Sequence, residues 1–159
     1  MIRAFVLAVP FALAGATALA GQASGNGAVA LAALIGAEDP SLPAGEKSVL
    51  AHFLNGQTNV ALPPDAHRIL VKADKIRCRM GDVDLGLHDC TLTFGAKTVT
   101  KSGSAGQMLL ATMVQNGVES DGAAGTIYYT VAPITCTVDA DEIEQHDGGG
   151  AMCTFTNGE

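Results

Sequence analysis

Two stretches of the chain carry the same set of side chains able to hold a cation or move a proton. Asp82, Asp84, His88 and Asp89 lie between Cys78 and Cys90, and Asp139, Asp141, His146 and Asp147 lie between Cys136 and Cys153. Carboxylates and a neutral imidazole can share a divalent ion, so each Asp-x-Asp followed by His-Asp is a candidate metal site. The spacing is not that of a calcium-binding EF-hand: Gly86 stands at a ligand position and Thr93 where the closing acid is needed. Asp and Gly also populate hairpin turns for backbone reasons, and solvated turn residues are the reading favoured by residue type alone. A divalent metal is the one cofactor these residues suggest, and its strength is that the pattern occurs twice.

The cysteines admit disulfide, redox or zinc chemistry. No Cys-x-x-Cys is present, and the spacings lack the tight knuckle of a four-thiolate zinc site. Four cysteines allow three connectivities, and local pairing, Cys78 with Cys90 and Cys136 with Cys153, is favoured because each pair flanks a loop on the apolar face of its strands. Nucleophilic catalysis has no motif: no serine sits in Gly-x-Ser-x-Gly or Ser-x-x-Lys, and nothing fixes a base beside His52 or His67. Gly122-Ala123-Ala124-Gly125 lacks the lysine of a phosphate loop and reads as a connector.

The elements that must position these groups are legible as periodicity. Ile69 and Val71, then Ile76, Cys78 and Met80, alternate with polar residues and predict half-buried strands. Cys90–Phe94 and Thr98–Lys101 predict a hairpin through Gly95-Ala96-Lys97; Ile127–Val131 and Ile134–Val138 read as two strands broken by Pro133, and Ala151–Thr156 as the last strand. Gly103–Asn116 has helical spacing, with Ala105, Met108, Leu109, Thr112 and Met113 expected as its core face. Of Tyr128 and Tyr129, one is expected to face inward and the other outward.

The hairpins repeat. Ile76–Asp84 followed by His88-Asp89 and Cys90–Gly95 aligns with Ile134–Asp141 followed by His146-Asp147 and Cys153–Gly158, and each is preceded by a helix running from Ala-Gly to Asn-Gly (44–56 and 105–117). The expected fold is therefore α+β: an antiparallel sheet with a packed helix, two local hairpin disulfides and a tandem helix-plus-hairpin repeat.

Residues 1–20 hold one charge, Arg3, then an apolar, alanine-rich run ending Ala18-Leu19-Ala20, which reads as a secretory signal cut after Ala20 or, later, after Ala23. Residues 21–64, with short helices expected at Ala28–Ile35 and Gly45–Leu54, read as a loosely packed helical or linker segment ending at Pro63-Pro64; residues 65–159 form the stapled domain. Lys and Arg number 9 against 16 Asp and Glu, a formal charge of −7, and no Lys or Arg follows Lys101. Nucleic acid and, after signal cleavage, membrane surfaces are excluded as partners on that charge.

The plan of two helix-plus-hairpin units, each with a local disulfide, resembles that of small secreted inhibitor proteins such as the β-lactamase inhibitory protein; the likeness is of plan and carries over no residue. The expected function is that of a periplasmic or secreted, non-enzymatic module binding a protein or small ligand, with Asp141, Glu142, Glu144 and Asp147 as an acidic contact surface. A metal-binding or metal-dependent function through the Asp/His loops is the alternative.

Overall fold

The computed structural model describes residues 20–57, 61–62, 67–81, 88–121, 126–145 and 149–158. In chain order the elements are β1 (Ala20–Ser24), α1 (Gly25–Gly36), α2 (Ala44–Leu54), β2 (Arg68–Ala73), β3 (Lys75–Met80), β4 (Asp89–Phe94), β5 (Lys97–Ser102), α3 (Gly103–Gln115), β6 (Ile127–Asp139), α4 (Ala140–Gln145) and β7 (Ala151–Asn157). Every strand pairing is antiparallel, in the order β1-β7-β6-β3-β4-β5, with β2 added on β6. The expected α+β class with two local disulfides is what forms: Cys78 bonds Cys90 across β3–β4 and Cys136 bonds Cys153 across β6–β7.

Alternation builds the sheet. Ile69, Val71 and Ala73 of β2, Ile76 and Cys78 of β3, and Cys90 and Leu92 of β4 point inward and are buried, while Arg77, Lys72 and the threonines between them face out. Tyr129 packs on the core, and Tyr128 on the other face lies under Arg77, whose guanidinium stands 3.9 Å from the ring centre. Gly95, at φ 57°, makes the tight β4–β5 turn that a side chain would strain.

Three expectations need correction. Pro133 does not divide two strands: β6 runs unbroken through it, with a register shift between Val131 and Ile134 that leaves the proline at a bulge, where no ladder N–H is required. Residues 21–57 are not loosely packed, for Ala28, Leu31, Ala32 and Ile35 of α1 and Val49, Leu50 and Phe53 of α2 belong to the same core as the sheet. Small side chains there permit close approach rather than looseness. Of the methionines expected inside, Met113 is buried, but Met108 is 52 % exposed and Met80 39 %. The proline pair expected as a boundary, and residues 122–125, lie outside the described residues.

The repeat is real in its hairpins and wrong in its helices. Cys90 pairs in register with Lys101, after which Ser102 and Gly103 (φ 63°) turn the chain into α3. Cys153 pairs with Ala23, after which Ser24 and Gly25 (φ 64°) turn it into α1. The counterpart of α3 is thus α1, not α2, and the second unit is completed by β1 and α1 from the start of the chain. Side-chain contacts repeat with it: Cys90 Sγ lies 3.4 Å from the Gly106 carbonyl oxygen and Cys153 Sγ 3.5 Å from that of Ala28. The units also exchange a strand, since β2 pairs with residues 134–139 of β6 while residues 127–131 of β6 pair with β3.

A Cβ at Gly106 would stand 2.4 Å from the His88 carbonyl oxygen and 2.6 Å from that of Lys101, so α3 is seated against backbone that cannot swing away. Gly106→Ala is expected to lower stability by about 1–3 kcal/mol in urea unfolding, the usual cost of overpacking; an unchanged midpoint would show that α3 is not held this closely.

Candidate functional site

The first predicted His-Asp pair stands where β4 begins, His88 just before the strand and Asp89 as its first residue, and the alternation of extended backbone separates the two side chains. His88 falls on the face of Cys90 and Leu92 and is buried, whereas Asp89 turns to the outer face. There the Asp89 carboxylate accepts a hydrogen bond from Arg79 Nη2 at 2.8 Å, across the β3–β4 register that pairs the two residues. The Ser102 hydroxyl, and after it the Arg79 guanidinium, hold the Asp89 carboxyl below the ordinary aspartate value. Asp89 and His88 therefore cannot face one ion together.

Of the second set, Asp139 is engaged in helix capping. Asp139 Oδ1 accepts the backbone N–H groups of Asp141 (3.2 Å) and Glu142 (3.4 Å), satisfying donors at the start of α4. Asp141 is paired with His67 Nδ1 at 2.8 Å on the surface. The segment read as an acidic loop is thus in large part helix α4, presenting Asp141 and Glu142 to solvent. Asp82, Asp84, His146, Asp147 and the side chain of Glu144 lie outside the described residues. Among the described residues no three His, Cys, Asp or Glu side chains come together to hold a metal.

What the inward turn of His88 creates is a pocket. A cavity of about 320 Å³ opens between α3 and the inner sheet face, lined by Met80, His88, Gln107, Leu110, Ala111, Val114, Gln115 and Tyr129. His88 is 3 % exposed and its Nδ1 has no hydrogen-bond partner, a costly state for a buried polar atom. Around it the rim is apolar and open: Val114 is 44 % exposed, close to the value for Met80. Two other concavities among the described residues lack this combination. One of about 350 Å³ along Gly21, Gln22, Pro133 and Thr154 has no titratable side chain, and in another, between α1 and α3, Lys101 is ion-paired to Glu38.

The sequence reading named His88 but assigned it to a solvated loop. The missed signal is its place two residues before Cys90, which puts both on one face of the strand. Met80, Gln107, Val114 and Tyr129 are far apart in the chain, and only the β3–β6 pairing and the seating of α3 gather them. Compared with known protein families, curated proteins and solved structures, the chain matches none.

The outer-face arrangement has a pH consequence. Because the folded state holds the Asp89 carboxyl low, its stabilising contribution is present above the unfolded aspartate value and is lost as pH falls through the folded one. In a carboxyl NMR titration the Asp89 midpoint should lie below those of unpaired aspartates, and Ser102→Ala and Arg79→Gln should each raise it. An Asp89 midpoint at the ordinary value in the unmodified protein would contradict the arrangement.

Proposed function

We propose that the protein is a small, non-enzymatic binding module of the periplasmic or extracellular space, and that it binds through the pocket beneath α3. The observation that carries this reading is the pairing of an open apolar rim, Met80 and Val114, with the unpartnered Nδ1 of buried His88 at the pocket wall. A largely apolar cavity with a few polar groups that fix orientation, here His88, Gln107, Gln115 and Tyr129, is the ordinary form of a binding site. His88 and Tyr129 are the titratable side chains among the described residues that line it, and no carboxylate stands beside them there, so the chemistry favours holding over turnover. Covering Val114 and Met80 would contribute about 1–2 kcal/mol each. The acidic helix α4 is the less favoured contact surface, since Asp141 is already engaged by His67 and Asp139 by the α4 backbone.

Export is supported by the signal-like first twenty residues together with the two disulfides, which persist in oxidising compartments. Among the described residues no helix is long and apolar enough to cross a membrane. A cut after Ala20 spares Gly21–Ser24 to pair with β7, whereas a cut after Ala23 would strip β1 down to Ser24. N-terminal sequencing of the exported protein should therefore begin at Gly21; a start at Ser24 would show that β1 is dispensable.

The pocket is tested with the apolar fluorophore 1-N-phenylnaphthylamine added to the oxidised protein. Fluorescence should rise saturably, and Val114→Asp and Met80→Asp should each weaken binding by at least about tenfold with circular dichroism unchanged. Equal binding by both variants would reject this site.

A further inference from the structure

The two halves of the molecule are alike enough to show what the pocket lacks. Registers place α3 over α1 position by position: Gly103 answers to Gly25, and Gly106, Leu109, Leu110 and Met113 answer to Ala28, Leu31, Ala32 and Ile35, all of them buried. But α1 has a second buried stripe, Val29, Ala33 and Gly36, whose counterparts on α3 are Gln107, Ala111 and Val114. Those three are exposed, and all three line the pocket. The sheet residue beside each stripe corresponds as well: Val71 pairs with Cys136 as Tyr129 pairs with Cys78.

In the α1 half this face is occupied. Helix α2 lies along α1, and a Cβ added at Gly36 would stand 2.9 Å from Leu50 Cδ1, 3.1 Å from Leu42 Cδ2 and 3.4 Å from Val71 Cγ2. The chain supplies this cover within residues 37–67, between α1 and β2. Between α3 and β6 it has residues 116–126, and the described part of that segment runs alongside β6, with Asp121 N–H donating to Tyr128 O and Ser120 bridging Tyr129. The same inner face is roofed by a helix on one side, and on the other no helix among the described residues covers it.

We infer that the pocket beneath α3 is a docking groove for an amphipathic helix of a partner protein, seated as α2 is seated on α1. This deepens the binding-module reading and rests on it. The differences between the halves specify the visitor. Val114 stands where Gly36 stands, so the residue above it must be smaller than Leu50: valine with alanine holds the same number of side-chain carbons as glycine with leucine. His88 stands where Ala151 stands, so the wall that the visiting helix meets carries an imidazole in place of a methyl group. On that helix the neighbours in register with Val49 and Phe53 are apolar, giving the anchors of helix-in-groove recognition.

The probe is a fluorescein-labelled peptide of residues 43–56 with Leu50→Ala, helix-locked by a staple between positions 48 and 52, which are exposed in α2. Anisotropy titration against the oxidised full chain should show saturable binding that Val114→Asp weakens by at least about tenfold. The Leu50 parent peptide should bind more weakly than the Leu50→Ala peptide, and Val114→Gly should reverse that order. Absence of peptide binding, while 1-N-phenylnaphthylamine still binds in a Val114-dependent way, would overturn the helix inference and leave the pocket standing. Loss of both would overturn both. A dimer in sedimentation that Val114→Asp dissociates would overturn the partner helix in favour of a second copy of this chain.

Discussion

Helices α1 and α3 each sit on a disulfide. Cys90 Sγ touches the Gly106 carbonyl and Cys153 Sγ that of Ala28, while Cys78 Sγ lies 3.4 Å from Met113 Sδ further along α3. The bridges face the core, so they fix the floor on which α1 and α3 rest as well as the hairpins they close. In a chain with 19 glycines and many alanines, each buried side chain removes little apolar surface, and a short disulfide ring worth about 3 kcal/mol is large beside that. Helix position, strand register and pocket shape all depend on those two floors.

The second constraint is the exchange of strands. β2 completes the half carrying α1, and residues 127–131 of β6 complete the half carrying α3, so each unit leaves its first strand in the other's sheet. One continuous core results, although the sequence contains a repeat. Asymmetry enters through the segment that leaves each helix. After α1 the chain returns with α2 on top; after α3 it goes to β6 and the helix face stays open. Met80 and Val114, which residue type alone would place inside, are exposed on that uncovered side.

Local pattern was legible where one interaction decided it. Cys78 and Cys90 alternate with arginines and threonines, so strand period and disulfide partner emerge together, and Gly103–Gln115 shows its helical spacing. The helix pairing in the repeat misled because the flanks Ala44-Gly45 and Asn55-Gly56 match Ala105-Gly106 and Asn116-Gly117 in small residues that match easily. The true counterpart, α1, is entered by Ser24-Gly25 and lies before both cysteine pairs, a cyclic displacement that no local window reveals. Pro133 read as a break because a bulge that tolerates it depends on the partner strand. The pocket was illegible for the same reason: His88 is visible, but its surroundings come from three other elements, β3, α3 and β6.

The pairing of β1 with β7 joins the described element made earliest to the one made latest. Loop-closure entropy makes such a contact slow to form, and here it is also unavailable until synthesis has passed Asn157. Until then α1 has no β7 beneath it, and the apolar stripe of Ala28, Leu31, Ala32 and Ile35 has no floor. The nascent chain can close β3–β4–β5 and seat α3 on its own, but the other half must remain open. A protein arranged in this way reaches its folded state only after its last strand has emerged, so the first-made half of the molecule is the last to close.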